Sequence, residues 1–484
     1  MSNNAKEDFF MRQFICIALC FGMLLFLFSG CRKTNTPDHT TNTGISSEDH
    51  TTASTTAEAS DIEETLENTE ASETAATPPL PTEVDTQTPT NTPADNVPAT
   101  PKPGDSGPVK PTVYVPSSNA IAGGKWDGGP IIWEITSDGV LTFSGNHHIQ
   151  GKPSYIWMDY ADIITKVVFK EGIETIPPNA FKGMSNITTI ELCSTLTVIY
   201  NSAFENCTAL TSVTIPQNLN IISMFAFSGC TGLKSVSFAP GCTLKEIKDY
   251  AFMGSGLQSF TAPASLRTIG IQAFANCTSL NSVRLEGGIN EIFARAFEGC
   301  TGLEHLVLGS SITYAGGHVF RNCNALKSLE YNTPVRIEFT GYTQLNKLVI
   351  GGTRTRTGCF KGCTALTSVT LNPNITEISP LAFCDCRSLT SITLPASLQI
   401  IGSGAFRDSG LTSITIPAQV TKIGFSSLAH APLNEVIFTG NAPSFDIHTS
   451  FYSVSTTVYY PEGNDTWTKD VLQNYGGTLT WVAK

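Results

Sequence analysis

The chain has 484 residues, of which 14% are charged and 40 are Gly. This length suits roughly two or three domains, and the composition favours β-rich packing over long helices. The formal net charge is −12, but it is concentrated in one stretch. Between Asn35 and Thr100 there are thirteen acidic residues and no Lys or Arg. The remainder is close to neutral and has no dense basic patch, so we expect no nucleic-acid partner.

The N-terminus carries an apolar run from Phe14 to Phe28. Its length is typical of a signal-peptide core and short for a membrane span, which needs about 20 residues. The run ends in LFSGC at residues 27–31, which resembles a bacterial lipobox with Phe28 where Leu is usual. The resemblance implies a lipoprotein signal peptide over residues 1–30 and an acylated Cys31 that anchors the protein in the membrane. The alternative is a secreted protein with an incidental Cys.

Residues 31–118 are rich in Thr, Pro, Ser, Ala and Glu and contain almost no large apolar side chains. Such a segment cannot bury enough surface to offset its ordering entropy, so we predict a disordered acidic linker. As a flexible coil it would span roughly 50 Å. It would serve either as a stalk that lifts the folded part from the membrane or as a featureless tether.

From Gly172 onward the chain repeats itself, with a dominant spacing of 23 residues. Each unit is marked by an anchor residue, which is a Phe preceded by Ala in most copies. The clear copies are Phe181, Phe204, Phe227, Phe252, Phe274, Phe297, Phe383 and Phe406, and the weaker ones are Phe320, Phe360 and Leu428. Phe339 divides the long gap after Phe320. We therefore count about twelve units over residues 171–440, one of them degraded.

A complete unit, residues 203–216, has the sequence AFENCTALTSVTIP. Leu210, Val213 and Ile215 are the apolar positions of a predicted strand, and the alternation from Val213 points them inward. Pro216 ends that strand without removing a ladder donor. Because one unit cannot bury its own apolar face, the units are expected to stack with parallel strands.

The recurring Ala-Phe, Cys and Leu-x-x-Val-x-Ile motif resembles the BspA-like leucine-rich-repeat family over about residues 122–484. The resemblance implies a repeat solenoid with a parallel β-sheet on its concave face. It also implies display on a bacterial surface, with adhesion to host or microbial ligands in some members. It supplies no catalytic residue, and the chain has no nucleophile elbow, phosphate loop, paired-His zinc motif or calcium loop. We predict no enzyme and no cofactor.

Seven Cys residues follow an anchor by three positions: Cys207, Cys230, Cys277, Cys300, Cys323, Cys363 and Cys386. Metal binding or disulfides would be the chemical interpretation. A 23-residue spacing spreads the thiols along the solenoid, whereas zinc needs ligands that converge on one point. We predict instead that each is a small buried hydrophobe. Cys384 follows an anchor directly, where other units carry charged residues, and is predicted to be exposed.

Residues 119–170 and 441–484 are predicted to be β-rich caps at the two ends. The first contains a hairpin whose turn is Asp138-Gly139, and the second contains two strands. The chain's five Trp residues all lie in these caps: Trp126, Trp133, Trp157, Trp467 and Trp481. They either seal the open ends or form an aromatic platform for a sugar, with Trp133 or Trp467 as candidates. His147-His148 is predicted to be a turn rather than a metal site.

The predicted binding residues lie where the repeat becomes irregular. The outward strand positions are mostly Ser and Thr, but the middle units place charged residues there, and two more follow the degraded unit. The candidates are Arg284, His305, Glu330, Lys347, Arg354 and Arg356. A local departure from a regular pattern often marks function, and Arg is a favoured interface residue. The alternative is drift on a solvated face.

The leading hypothesis is therefore a lipid-anchored, exported surface protein, monomeric, that binds a protein or glycan on a host or microbial surface. A glycan-binding protein that uses the cap aromatics is the second hypothesis. The third is a structural spacer without a specific ligand.

Overall fold

The computed structural model describes residues 114–126, 129–149, 151–152, 155–446 and 449–484. The predicted signal peptide, Cys31 and most of the predicted linker lie outside these residues. Within them, no helix has the length and apolar character needed to cross a membrane. The segment Ile156–Tyr160 is a short 3-10 helix, and the rest is built from strands and turns.

The predicted solenoid is confirmed by a long row of parallel strands, here called the main ladder. Its strands fall into three sheets, divided after Phe238 and after Leu371, and within each sheet they pair in parallel, as Ser212–Ile215 does with Ser235–Phe238. The strands of the main ladder are Val140–Ser144, Lys166–Phe169, Thr189–Glu191, Ser212–Ile215, Ser235–Phe238, Ser259–Thr261, Ser282–Leu285, His305–Leu308, Ser328–Tyr331, Lys347–Ile350, Ser368–Leu371, Ser413–Ile416, Glu435–Phe438, Ser455–Tyr460 and Thr478–Ala483. In Ser212–Ile215, Val213 and Ile215 are buried and the two polar residues are exposed, as period-2 alternation predicts.

A second row of short parallel strands, the short ladder, runs beside the main ladder along the chain. Most of its strands are two residues long, and most of them end in a buried apolar residue. The first part comprises His147–His148, Ile173–Ile176, Val198–Ile199, Ile221–Ile222, Glu246–Ile247, Thr268–Ile269, Glu291–Ile292 and Tyr314–Ala315; the second comprises Glu377–Ile378, Ile400–Ile401, Lys422–Ile423 and Ser444–Phe445.

The anchor residues form a continuous column of stacked rings through the core. From Phe181 to Phe406, successive ring centroids are 5.0 to 6.3 Å apart with nearly parallel planes. All these rings are buried. A repeating aromatic at one position therefore produces a single shared core, which explains why the Phe is the most regular feature of the sequence.

The backbone around every anchor except Phe339 alternates between right- and left-handed conformations. In the turn of Phe204, Ser202 and Asn206 have φ values of 57° and 60°. Alternation of this kind directs successive N–H groups to one side. The N–H groups of Ser202, Phe204 and Asn206 accordingly donate to the carbonyl oxygens of the next turn at 2.8 to 2.9 Å. We call these bonds the anchor ladder.

The ladder thiols add a side-chain bond in the seven turns that carry them. Cys207 donates to the carbonyl oxygen of Phe181 at 3.2 Å, Cys230 does so to Phe204 at 3.0 Å, and Cys300 to Phe274 at 3.1 Å. All seven ladder thiols are buried, which confirms the packing role predicted from their spacing. Burial raises the pKa of Cys230 to about 12, so the thiol stays protonated and remains a donor at neutral pH.

Both predicted caps continue the solenoid. The hairpin is confirmed, because Ile132–Thr136 pairs antiparallel with Val140–Ser144; Ala120–Lys125 adds a third strand on its outer edge. Val140–Ser144 also pairs in parallel with Lys166–Phe169, so the hairpin starts the main ladder. At the other end, the two predicted strands extend the same ladder in parallel.

Aromatic side chains close the N-terminal end of the anchor ladder. The first anchor turn has no preceding turn to supply N–H donors to its carbonyl oxygens. The hydroxyl of Tyr155 donates to the carbonyl of Pro178 at 2.8 Å, and the indole N–H of Trp157 donates to that of Ala180 at 2.8 Å. Trp157 also stacks on Phe181 at 5.9 Å, continuing the ring column.

Two local predictions were wrong. Cys384 is fully buried rather than exposed, with its Sγ 3.9 Å from Asp385 Oδ2. His147-His148 is a two-residue strand rather than a turn. Glu174, distant in sequence, lies on the adjacent strand with its Oε2 3.3 Å from His148 Nε2.

Replacing Trp157 with Phe tests the capping role. The change removes the donor to the Ala180 carbonyl while keeping a stacked ring, so we expect a loss of about 1–3 kcal/mol in the free energy of unfolding. Urea unfolding followed by circular dichroism measures it. Trp133→Phe is the matched control, since the buried Trp133 indole donates to none of the described residues. Equal losses in both variants would contradict the capping role.

Candidate functional site

Four of the six predicted binding residues lie on one face of a six-stranded section of the main ladder, Ser259–Thr261 to Ser368–Leu371. The register places His305 beside Ser328, which is beside Lys347. Arg284 is beside Val307, which is beside Glu330. Because neighbouring strands are about 4.8 Å apart, His305 and Lys347, which are two strands apart, are separated by roughly 10 Å, and so are Arg284 and Glu330.

Two basic side chains on this face, those of Arg284 and His305, are partly engaged with neighbouring residues. Arg284 Nη2 lies 2.6 Å from Oε2 of Glu286, the residue that follows the same strand. His305 Nδ1 lies 3.1 Å from Ser328 Oγ, and its Nε2 lies 4.0 Å from Glu304 Oε2. A hydrogen bond from Lys327 at 2.8 Å lowers the pKa of Glu304, which therefore stays ionised. Such exposed pairs are weak and can be exchanged for contacts with a partner.

Glu330 and Lys347 are exposed and form no ion pair with the described residues. They stand on adjacent strands, offset by two residues, so that a partner meets one charge of each sign. Val307 and Val349 separate the charged residues and are buried and half-buried respectively. The result is a mixed charged and apolar patch within a face that is otherwise Ser and Thr.

Tyr331 stands at an inward position beside this patch and finds the hydrogen-bond partners that its hydroxyl requires. The hydroxyl donates to the carbonyl of Val335 at 2.5 Å and accepts from the N–H of Ile337 at 3.1 Å. Burial raises the pKa of Tyr331. The residue is therefore a buried structural tie within the degraded unit and does not contact the outward face.

The structure places Arg354 and Arg356 apart from the other four candidates. Arg354 forms a parallel bridge with Glu377, which begins a strand of the short ladder, and its Nη2 lies 3.8 Å from the Glu377 carboxylate. Arg356 is half-buried and donates to the carbonyl of Pro334. Because the chain turns after Ile350, both arginines leave the main ladder.

The cap aromatics do not present an open platform. The rings of Trp126, Trp133, Trp157 and Trp467 are buried, and Trp481 is half-buried. In the C-terminal cap, Trp467 packs on Phe438 at 4.9 Å and on Trp481 at 5.7 Å. The tryptophans therefore seal the ends of the core, and Trp133 and Trp467 have no free ring face for a sugar.

Cys384, Asp385 and Asp408 bring three potential metal-ligand atoms within 4.8 Å of one another. Arg387 Nη2 lies 3.0 Å from Asp385 Oδ1, and Arg407 Nε lies 3.5 Å from Asp408 Oδ2. Burial raises the pKa of the Cys384 thiol to about 11. A protonated thiol between two arginine-paired carboxylates is a poor cation site, so this cluster does not fit a metal.

The stacked turns and the parallel ladders define a leucine-rich-repeat solenoid. The family model for the BspA type leucine rich repeat region matches six copies, over residues 154–246, 245–352 and 337–457. The chain belongs to this family. Its proteins are typically bacterial surface proteins and are generally non-enzymatic binding proteins. A search of curated proteins finds no match.

Solved structures similar to this chain are also leucine-rich-repeat proteins. One from Bacteroides ovatus is 22% identical, covers 73% of this chain and 98% of its own, and has a TM-score of 0.38. One from Eubacterium ventriosum is 21% identical, with coverage of 60% and 96% and a TM-score of 0.27. A leucine rich cell surface protein from Faecalibacterium prausnitzii is 21% identical, with coverage of 65% and 94% and a TM-score of 0.25.

Proposed function

We propose that this protein is an exported surface protein that binds a protein ligand on a host or microbial surface. The binding face is the central part of the main ladder, formed by Arg284, His305, Glu330 and Lys347. The observation that carries the proposal is their shared register on one six-stranded sheet. Family membership supports a binding role, since leucine-rich-repeat proteins generally bind proteins.

The chemistry of the patch suits a protein partner. It offers a guanidinium, an imidazole, an ammonium and a carboxylate, separated by valine side chains and framed by short hydroxyl side chains. Mixed charges with a small apolar centre are typical of protein interfaces, where Arg anchors binding and the rim stays polar. A rigid ladder holds these groups at fixed spacing, which reduces the ordering cost of association.

The binding proposal is tested with the fragment from Ala120 to Lys484 in cell-attachment and pull-down assays. The variant Arg284→Ala, His305→Ala, Lys347→Ala is expected to lose at least tenfold in binding, because it removes three exposed contacts without touching the core. The control Arg387→Ala, Lys422→Ala, Lys469→Ala removes three basic residues elsewhere and should bind normally.

A further variant, Arg354→Ala with Arg356→Ala, asks whether the site extends to the short ladder. Equal capture by the triple variant and its control would overturn the main-ladder site. A fragment that captures nothing and attaches to no cell would favour the spacer hypothesis.

We propose in addition that Cys31 is acylated, that residues 31–118 form the stalk, and that residues 119–484 form the displayed head. The lipobox-like LFSGC sequence supports the anchor, since two acyl chains hold a protein stably at a membrane. Cys31→Ser should move the protein from the membrane fraction to the culture medium, measured by immunoblot. Unchanged membrane retention in the variant would contradict the lipid anchor.

A further inference from the structure

In the described solenoid, the step from the Phe320 turn to the Phe339 turn is the one at which all three bonds of the anchor ladder are absent. In the preceding turn, the N–H groups of Arg295, Phe297 and Gly299 donate to the carbonyls of the next turn at 3.0, 2.9 and 2.8 Å. The equivalent N–H groups one turn later, those of His318, Phe320 and Asn322, donate to no described residue. His318 and Asn322 keep the left-handed φ of their equivalents, at 61° and 64°, so these N–H groups keep the same direction.

The turn on the other side of this gap, that of Phe339, has carbonyl oxygens without backbone donors among the described residues. In the Phe339 turn, the carbonyls of Arg336, Glu338 and Thr340 occupy the accepting positions, and they accept from no N–H in the described chain. The cause is the degraded unit, which places Phe339 only 19 residues after Phe320. The first part of the short ladder also ends here, at Tyr314–Ala315.

One side chain spans the gap beneath these two walls. Tyr342 stands where other units carry the ladder Cys, and its hydroxyl donates to the carbonyl of Phe320 at 2.5 Å. A phenol is several ångströms longer than a thiol, so Tyr342 bridges a wider separation with the same bond. The Phe320 and Phe339 rings, 5.9 Å apart, still stack behind it. The core is therefore closed while the backbone surface is open.

The opening forms a cleft of about 530 Å³. This size lies within the range of small-molecule sites. Its side-chain lining is polar, with the charged pair of Arg336 and Glu338 at 3.2 Å. The polar side chains that line it are His318, Arg321, Asn322, Asn324, Arg336, Glu338 and Thr340.

We propose that this cleft binds a saccharide of one or two rings. The occupant has to accept hydrogen bonds from the row of N–H groups and donate hydrogen bonds to the row of carbonyls. Sugar hydroxyls do both at short spacing. A small oxyanion satisfies only the N–H row and meets the carbonyls and Glu338 on the other side. This site is separate from the main-ladder face and does not depend on it.

Another cavity, of about 650 Å³, shows why volume alone does not define such a site. It lies along the edge of the main ladder near Glu171 and Pro240. The Glu171 carboxylate there already accepts from the N–H and the hydroxyl of Ser194, at 3.0 and 2.9 Å. The carboxylate that faces that cavity is therefore already paired, and volume alone does not make the cavity a site.

The proposal is tested by screening the full chain on an array of mono- and disaccharides of glucose, galactose, mannose, N-acetylglucosamine and sialic acid, then by calorimetry with the best binder. Asn324→Trp should weaken binding at least tenfold, because an exposed indole fills the cleft. Thr301→Trp places the same indole at the equivalent position of an intact turn, and its affinity should stay within twofold of the wild type.

A second pair of variants keeps the proposal testable if the tryptophan variants do not fold. Asn322→Gly removes a lining amide but suits the left-handed backbone, and Asn276→Gly makes the same change in an intact turn. Only Asn322→Gly should weaken binding. An array without any bound saccharide, or equal affinity in each matched pair, would overturn the proposal. Binding of phosphate or sulfate without any saccharide would overturn it in favour of an anion site.

Discussion

The hydrogen bonds of the anchor ladder run in one direction along the solenoid, and the rest of the fold depends on this polarity. Apart from the step between Phe320 and Phe339, an anchor turn donates from its N–H groups to the next turn and accepts at its carbonyls from the preceding one. The left-handed residues on either side of the anchors, absent only at Ile337 before Phe339, make that arrangement possible. Because the bonds all run in one direction, the carbonyls of the first anchor turn have no backbone donors in the described chain, and the side chains of Tyr155 and Trp157 donate to them instead.

The same polarity explains how one shortened unit changes one surface and leaves another intact. Through the degraded unit the main ladder keeps its register, with Ser328 beside Lys347. The candidate protein-binding face is therefore continuous across it. The anchor ladder fails at the same step, which leaves donors on one wall and acceptors on the other. A single local deletion thus creates a polar cleft without breaking the core, since Tyr342 and the stacked rings still join the two turns.

Much of the fold could be predicted from the sequence, because a repeat multiplies weak signals. The Phe anchors, the strand alternation, the buried thiols and the N-terminal hairpin follow from residue type and spacing. What the sequence could not show depends on atoms brought together across turns. The thiol bond to the preceding anchor carbonyl, the burial of Cys384 and the pairing of His148 with Glu174 are examples.

For the candidate site, the outward strand positions correctly placed Arg284, His305, Glu330 and Lys347 on one face. Arg354 and Arg356 do not lie on that face, because the chain turns after Ile350. The cleft was missed because its distinctive groups are backbone atoms; the spacing of 19 between Phe320 and Phe339 was the available signal.

A directional row of backbone bonds joins neighbouring anchor turns in the described solenoid, and only between the turns of Phe320 and Phe339 are all three bonds absent. Amide hydrogen exchange at single-residue resolution, on the protein without ligand, measures it most directly. The amides of Phe274, Phe297, Phe339 and Phe383 should exchange slowly, and those of Phe320 and Asn322 should exchange much faster than their equivalents Phe297 and Gly299. Protection of Phe320 and Asn322 equal to that of their neighbours would contradict the account, because it would show that the row is unbroken.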